Sequence, residues 1–250
     1  MTRMSRRKWI KGGIAATAGA SGLAIAASLA KRYGLIPPDG GGIWGPGETL
    51  TYASQRLLTQ HSSAREFTRS QISPTPFANE VSPVTLNRLR RGALSDWSLT
   101  IDGMVARPSS LSLAELKRFP SSSQITMVQC EEGWSYIAEW IGAPLFHILD
   151  AAGVLPQARY VVYGSIERDW WESIDMADAL HRQTLITYGM NGAELPIEFG
   201  GPLRLRVPRQ LGYKSVKYMT SITVTDNLKQ FGKGLGSASP EGGYAWYAGI

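Results

Sequence analysis

The chain of 250 residues holds one cysteine, Cys130, and three histidines, His61, His147 and His181. A single thiol cannot close an internal disulfide, so Cys130 is left with packing, reactivity or metal ligation. A lone cysteine is most often a small buried hydrophobe, and its count alone says nothing more. The histidines are scattered, without the HxxxH spacing that sets two imidazoles on one helix face, and zinc chemistry finds no support. His147 and His181 read as surface residues of helices. There is no GxSxG elbow and no GxxxxGK[ST] phosphate loop, which removes the commonest serine-hydrolase and nucleotidase signatures. A CxxCH haem attachment is excluded by the cysteine count, and no internal repeat occurs.

Acidic residues are missing from positions 1–32, which carry Arg3, Arg6, Arg7, Lys8, Lys11, Lys31 and Arg32 around an Ala/Gly/Ile/Leu run from Ile14 to Ala30. This pattern reads as an export signal. The run is 17 residues long and broken by Thr17, Gly19, Ser21 and Gly22, short against the roughly 20 residues of a spanning helix. A retained anchor is the second reading. Ser5-Arg6-Arg7-Lys8-Trp9-Ile10-Lys11 resembles the twin-arginine signal, with cleavage expected after Ser28-Leu29-Ala30, and that route exports proteins already folded. The expected location is therefore the periplasm. Of 26 basic and 20 acidic residues in the whole chain, the first 32 positions hold seven basic ones, which leaves 19 against 20 beyond them. The remainder is close to neutral, so nucleic-acid binding is not expected. About 215 residues remain, enough for one domain with a sizeable core.

The expected organisation is a signal over 1–30, an extended lead-in over 31–76 with a short helix near Thr51–Leu58, and a domain over 77–250. Trp97–Asp102 reads as a strand closed by Asp102-Gly103, and Ser112-Leu113-Ala114-Glu115 has capping-box spacing for a short helix through Phe119. Gln124–Cys130 is a strand; Pro144 starts a helix whose apolar face is Leu145, Ile148, Leu149 and Ala152, ended by Gly153. Arg159–Ile166 and Thr184–Tyr188 are strands, Asp175–His181 a short helix, and Asn191-Gly192 a turn. Leu203, Leu205 and Val207 alternate with Arg204 and Arg206, which places the two arginines on the opposite strand face. Val216, Tyr218, Ile222 and Val224 read as one face of a further strand with Lys217 on the other. Tyr244, Trp246 and Tyr247 are available to pin a Gly-rich tail. Strands and short helices in mixed order point to an α+β domain.

By spacing alone, Arg204 and Lys217 have two readings. They lie on a solvated strand face, or, following the turns Gly200-Gly201-Pro202 and Gly212, they face an anion with backbone N–H groups beside them.

Four blocks carry a family resemblance: Gln129-Cys130-Glu131-Glu132-Gly133-Trp134-Ser135, Trp140-Ile141-Gly142-Ala143-Pro144-Leu145, Gly200-Gly201-Pro202-Leu203-Arg204-Leu205-Arg206-Val207-Pro208, and Gly212-Tyr213-Lys214-Ser215-Val216-Lys217-Tyr218. In this order they resemble the molybdopterin-binding domain of the sulfite oxidase family, nearest to the bacterial periplasmic group that includes the catalytic subunit of methionine-sulfoxide reductase. The match runs from about Phe77 to Asp226. The resemblance implies a mixed-sheet α+β fold and a molybdenum–molybdopterin cofactor with Cys130 as the protein's ligand to the metal, a role that suits a soft thiolate. It further implies pterin contacts at Asn79, Ser82 and Pro83, a hydroxyl contact at Ser165, and a cradle for the pterin and its phosphate at Arg204, Ser215, Val216 and Lys217. Phe199 stands where relatives carry Asn or His, and a phenyl ring donates no hydrogen bond. Glu132 matches an active-site carboxylate, and Trp171 an aromatic residue near the substrate funnel. Each has a plainer alternative, Glu132 as a solvated acid in a turn and Trp171 as packing.

Two departures bear on substrate and assembly. Sulfite-oxidising members follow the cysteine with an arginine-bearing motif, whereas acidic residues follow Cys130, and an acidic rim repels sulfite. The dimerisation domain of sulfite oxidases has no counterpart after Lys217, so a monomer is expected. Reduction of an S-oxide such as methionine sulfoxide, free or in a protein, is the leading reaction; oxidation of sulfite or another small substrate is the second. A pterin-binding module with little activity is a third. With no haem motif in the chain, electrons pass through a partner, a membrane haem protein or a soluble cytochrome.

Overall fold

Short strands rich in β-branched and aromatic residues, separated by Gly, Pro and Asn turns, build the fold. The computed structural model describes residues 28–32, 34–91, 96–167 and 169–250. The export motif, at 1–27, lies outside them. The chain divides between Leu58 and Thr59 into two compact units.

The first unit contributes helix α1, Gly45–Leu58. It begins earlier than the expected helix at Thr51, with Pro46 in its first turn, where a missing N–H costs nothing. Glu48 in the first turn and Arg56 in the last complement the helix dipole.

The second unit, Thr59–Ile250, opens with an irregular stretch that pairs with its sheet: Phe67 N–H donates to Ile125 O and Ser73 N–H to Ile137 O. Helix α2, Pro83–Arg91, follows. It falls at the start of the expected domain, between Phe77 and Trp97, where the sequence shows no helical periodicity because its apolar residues are few; Thr85 and Leu89 alone are buried. Five strands then form a mixed sheet, β1 (Ser98–Gly103), β2 (Ser109–Ser112), β5 (Tyr160–Ser165), β6 (Trp171–Asp175) and β10 (Met219–Thr225), in the order β2-β1-β10-β5-β6. β1 and β10 run parallel and the other pairs antiparallel. The second sheet orders β3 (Ser122–Gln129), β4 (Ser135–Pro144), β7 (Leu185–Met190) and β8 (Ala193–Glu194), with β9 (Arg204–Arg206) also on β7. The architecture is thus mixed α+β, as expected. Side chains from both sheets, including Leu99, Ile101, Val161 and Ile222 from one and Ala143, Ile186 and Leu205 from the other, form one core with helix α4, Leu145–Ala152.

Local chemistry explains the short helices. Ser112 caps α3, Leu113–Leu116, with its hydroxyl accepting from Glu115 N–H at 3.2 Å while Glu115 reaches back to Ser112 N–H at 2.8 Å. Gly153 ends α4 in the left-handed conformation. Asp175 caps α5, Met176–Ala179. A last short helix, α6, spans Ala238–Glu241.

Three expectations are corrected. Pro144 is not the first helical residue: it is the last residue of strand β4 and the N-cap of α4, which begins at Leu145. Arg204 and Arg206 are not on a solvated face: both are buried, because Trp140 of β4 lies against their guanidinium groups. Val216 and Tyr218 do not continue the face of Ile222 and Val224. Tyr218 has φ 56° and the β10 register shifts between Met219 and Ser221, so the strand starts only at Met219 and Lys217 belongs to a loop.

Candidate active site

The turn between β3 and β4 presents the lone thiol. Cys130 N–H donates to Trp134 O at 3.0 Å and Gly133 N–H to Cys130 O at 3.1 Å, closing a tight loop over Glu131 and Glu132. The Cys130 Sγ points at both carboxylates, 3.3 Å from Glu131 Oε2 and 3.8 Å from Glu132 Oε2. Burial first, then the hydrogen bond and charge of Glu131 and the charge of Glu132, outweigh the Glu132 backbone N–H and push the thiol up to about 12. So placed, the sulfur is a protonated and unreactive thiol. A metal cation reverses that balance, since coordination deprotonates a thiol outright. The same two carboxylates that disfavour a bare thiolate favour an approaching cation.

A cleft of about 260 Å³ opens beside the thiol. Glu132 is held across its mouth: Oε2 accepts from Trp134 Nε1 at 2.8 Å and from Asn79 Nδ2 at 3.4 Å. Phe77, Trp134, Tyr136 and Phe199 form an aromatic wall, with Phe77 4.9 Å from Trp134 and Tyr136 5.7 Å from Phe199 between ring centroids. The opposite wall is cationic. Arg204 donates to Phe199 O at 2.7 Å and Ser215 O at 2.8 Å, and Arg206 behind it donates to Ser215 Oγ at 3.0 Å and Met127 O at 3.1 Å. Both rest on Trp140, at 5.1 and 4.9 Å from its ring centroid. Lys217 Nζ donates to Glu198 O at 2.7 Å and lines the cleft. Gly200 makes room for it: with φ +106°, a Cβ there would meet Lys217 Cγ at 2.9 Å.

Two guanidinium groups are therefore buried, hydrogen-bonded to carbonyls and hydroxyls, with no carboxylate among the described residues paired to either. Their Nε atoms have no partner. Uncompensated buried cations are costly and mark a place where an anion belongs.

Of the residues expected at the site, Asn79, Cys130, Glu132, Phe199, Arg204, Ser215 and Lys217 meet at this cleft. Phe199 gives it a ring, its N–H being donated to Pro196 O and its carbonyl accepting from Arg204. Ser82, Pro83, Ser165, Val216 and Trp171 are not on its wall. The Ser82 hydroxyl accepts from Thr85 N–H at 3.1 Å at the start of α2, where Pro83 also sits. Ser165 Oγ accepts from Glu167 N–H at 3.1 Å, Val216 is in the core, and the Trp171 ring packs 6.1 Å from Phe231. Trp170, one residue earlier, lines the cleft instead, with Glu167 and Tyr218. Glu167 and Trp170 lie in none of the four blocks; Tyr218 closes the fourth block and Trp134 stands inside the cysteine block, where each is legible as an aromatic neighbour.

A family described as "Oxidoreductase molybdopterin binding domain" matches residues 87–231. The chain belongs to this family. Among curated proteins, the provisionally named protein-methionine-sulfoxide reductase subunit YedZ1 of Azospira oryzae is 35% identical over 163 residues, 65% of this chain and 60% of that protein. The crystal structure of the sulfane dehydrogenase SoxCD from Paracoccus pantotrophus superposes with a TM-score of 0.52 at 21% identity, over 67% of this chain and 46% of that one. The chain thus spans 60% of the first relative's length and 46% of the second's, less than two thirds of either. The fold is the one shared with that structure, and the chain carries an oxidoreductase molybdopterin-binding domain over residues 87–231.

The residues present fit that cofactor. A thiol raised by burial and two carboxylates, which a bound metal cation would favour as thiolate, lines the cleft, and the buried Arg204 guanidinium and Lys217 line it where a phosphate would balance their charge.

Proposed function

We propose that this protein is an exported molybdenum-dependent reductase of S-oxides of the methionine-sulfoxide type, with the Cys130 sulfur as the protein ligand to the metal. The observation that carries this reading is the Cys130–Glu131–Glu132 turn set into an aromatic cleft. When bound, the cofactor supplies the two-electron oxygen-transfer chemistry. Arg204, Ser215 and Lys217 hold its anionic end, and Trp140 keeps the guanidinium groups in place. Glu131 and Glu132 set a negative rim that repels sulfite and tolerates a neutral sulfoxide. Phe77, Trp134 and Trp170 exclude water and receive the apolar flanks of the substrate. Conversion of a sulfoxide to a thioether and water consumes two protons and two electrons. Glu132, fixed by Trp134 Nε1 and Asn79, is placed to pass protons at the mouth through Oε2. The electrons come from a haem partner, membrane-bound or soluble, and the basic N-terminal segment directs folded export to the periplasm.

Protein purified from the periplasm should contain near-stoichiometric molybdenum and pterin and, once reduced by dye, should turn over methionine sulfoxide. Cys130→Ser should abolish that turnover with an unchanged circular-dichroism spectrum. Turnover that survives the substitution removes the thiol from the reaction; oxidation of sulfite in preference to sulfoxide reduction assigns the dehydrogenase reading instead.

A further inference from the structure

Helix α1 has its polarity inverted. Leu50, Leu57 and Leu58 are 70, 68 and 82% exposed, and Ile43 and Trp44 in the turn leading into the helix are 88 and 76% exposed. Leu50 and Leu57 are seven residues apart and Leu58 adjoins them, so the three share one side of the helix. The other exposed helix positions, Pro46, Gly47, Thr51 and Ser54, are uncharged. Charge is confined to the covered side: Glu48 is half-buried, and Arg56 is buried over the ring of buried Tyr52, 5.4 Å from its centroid. A contiguous, exposed and uncharged apolar face is unusual for a surface meant for water.

Its position in the chain indicates what covers it. The apolar run Ile14–Ala30 stands just upstream and is followed at once by Lys31 and Arg32, both exposed. Trp44 comes 14 residues after Ala30, within about 50 Å even for a fully extended chain. While the run is attached, during export or as a retained anchor, it keeps the face within that distance of a membrane; after cleavage at Ala30 the exposed pair Lys31 and Arg32 stays on the chain. A docking site for a soluble protein carries a polar, charged rim, whereas the exposed polar positions of this helix are only Thr51 and Ser54, without charge. Leucines with a tryptophan at the border suit the headgroup–acyl boundary, and the adjacent basic pair suits anionic headgroups.

We propose that the Ile43–Trp44–Leu50–Leu57–Leu58 face is a membrane-interface surface that lies in the headgroup region of an anionic bilayer. This contact is independent of the reaction in the cleft and holds the protein where a membrane electron donor would be met.

The test uses the protein as the cell makes it, with its N-terminus read by mass spectrometry, on vesicles of phosphatidylcholine and phosphatidylglycerol with or without bromine in the upper acyl chain. The difference in emission between the parent and Trp44→Phe isolates the Trp44 signal. Brominated vesicles should quench most of it. Leu50→Gln/Leu57→Gln/Leu58→Gln should relieve the quenching and weaken vesicle binding by roughly tenfold or more. These side chains are exposed, and an unchanged circular-dichroism spectrum confirms that the triple variant folds. Unquenched Trp44 emission on bound protein, or a triple variant that binds and is quenched like the parent, overturns the assignment. Shielding of Trp44 in native membranes but not in protein-free vesicles overturns it as well and gives the face to a membrane protein.

Discussion

Lys217 links the charge of the cleft to pH. Burial, and then the Arg204 guanidinium, push its ammonium from 10.5 down to about 8, while Glu167 and Glu198 pull weakly upward. The unfolded chain keeps this proton to about 10.5. Between about 8 and 10.5 the unfolded state therefore binds more protons, and stability of the cofactor-free protein rises with pH through that window. Below about 8 the cost of the buried cation is fully present. An anion seated against Lys217 and Arg204 offsets that cost, so sulfate should raise the melting temperature strongly near about pH 7 and weakly near about pH 9. Lys217→Met should flatten the difference in thermal scans. An equal sulfate effect at both values in the parent would show that Lys217 does not face the anion. At this scale the sequence was most legible where a residue type has few uses: a lone cysteine, an arginine after a Gly-Gly-Pro turn. The burial of Arg206 was not, because strict alternation with Leu203, Leu205 and Val207 looks the same for a solvated face and for a strand covered on both sides.

Among the elements, β4 escaped the sequence and organises the site. Its run Ser135–Pro144 is buried at seven of ten positions, so it lacks the alternation that marks a half-buried strand. Gly142 within it is packed so that a Cβ would lie 2.2 Å from Ile186 O of β7, and the register shifts there. β4 begins at the turn that presents Cys130 and carries Trp140, the ring under both guanidinium groups. Neither arginine has an acidic partner among the described residues, so the π face of Trp140 adds to the carbonyl and hydroxyl oxygens that accept from them. Trp140→Leu should cost about 3 kcal/mol in urea unfolding, through lost volume and lost cation–π contact. It should also lower the pterin content of purified protein severalfold. Trp140→Phe keeps a π face and should retain most of the pterin; equal loss in both variants would reduce Trp140 to a filler of space. By contrast α3 and α4 were legible to within a turn, because a capping box and a Gly153 stop are written in local chemistry.

At the scale of the whole molecule, what no local pattern reveals is how the tail closes the second unit. Of the three aromatic residues expected to pin the tail, Trp246 and Tyr247 are buried, whereas Tyr244 is exposed. The clasp itself is an ion pair: Lys214 Nζ lies 2.7 Å from Glu172 Oε2, both side chains fully buried. Lys214 stands in the loop that gives Gly212, Tyr213 and Ser215 to the cleft, Glu172 on β6. The tail completes their shell, since Ser239 N–H donates to Glu172 Oε1 at 3.0 Å, Lys214 Nζ donates to Ser237 Oγ at 3.2 Å, and Trp246 Nε1 donates to Ser173 Oγ at 2.8 Å. Residues 42 positions apart, with a third segment over them, can be matched only once the sheet order is known. Removing one partner leaves a buried, unpaired charge, so Glu172→Leu should destabilise the protein by about 3–5 kcal/mol in chemical denaturation. It should also open the tail to proteolysis between Gly236 and Trp246 and loosen the cleft loop. Replacing both partners, Glu172→Leu with Lys214→Met, should recover most of the lost stability, because no charge is then stranded. If the double variant is as unstable as Glu172→Leu, the Ser239 and Ser237 hydrogen bonds hold the tail, and the ion pair serves only to fill their shell.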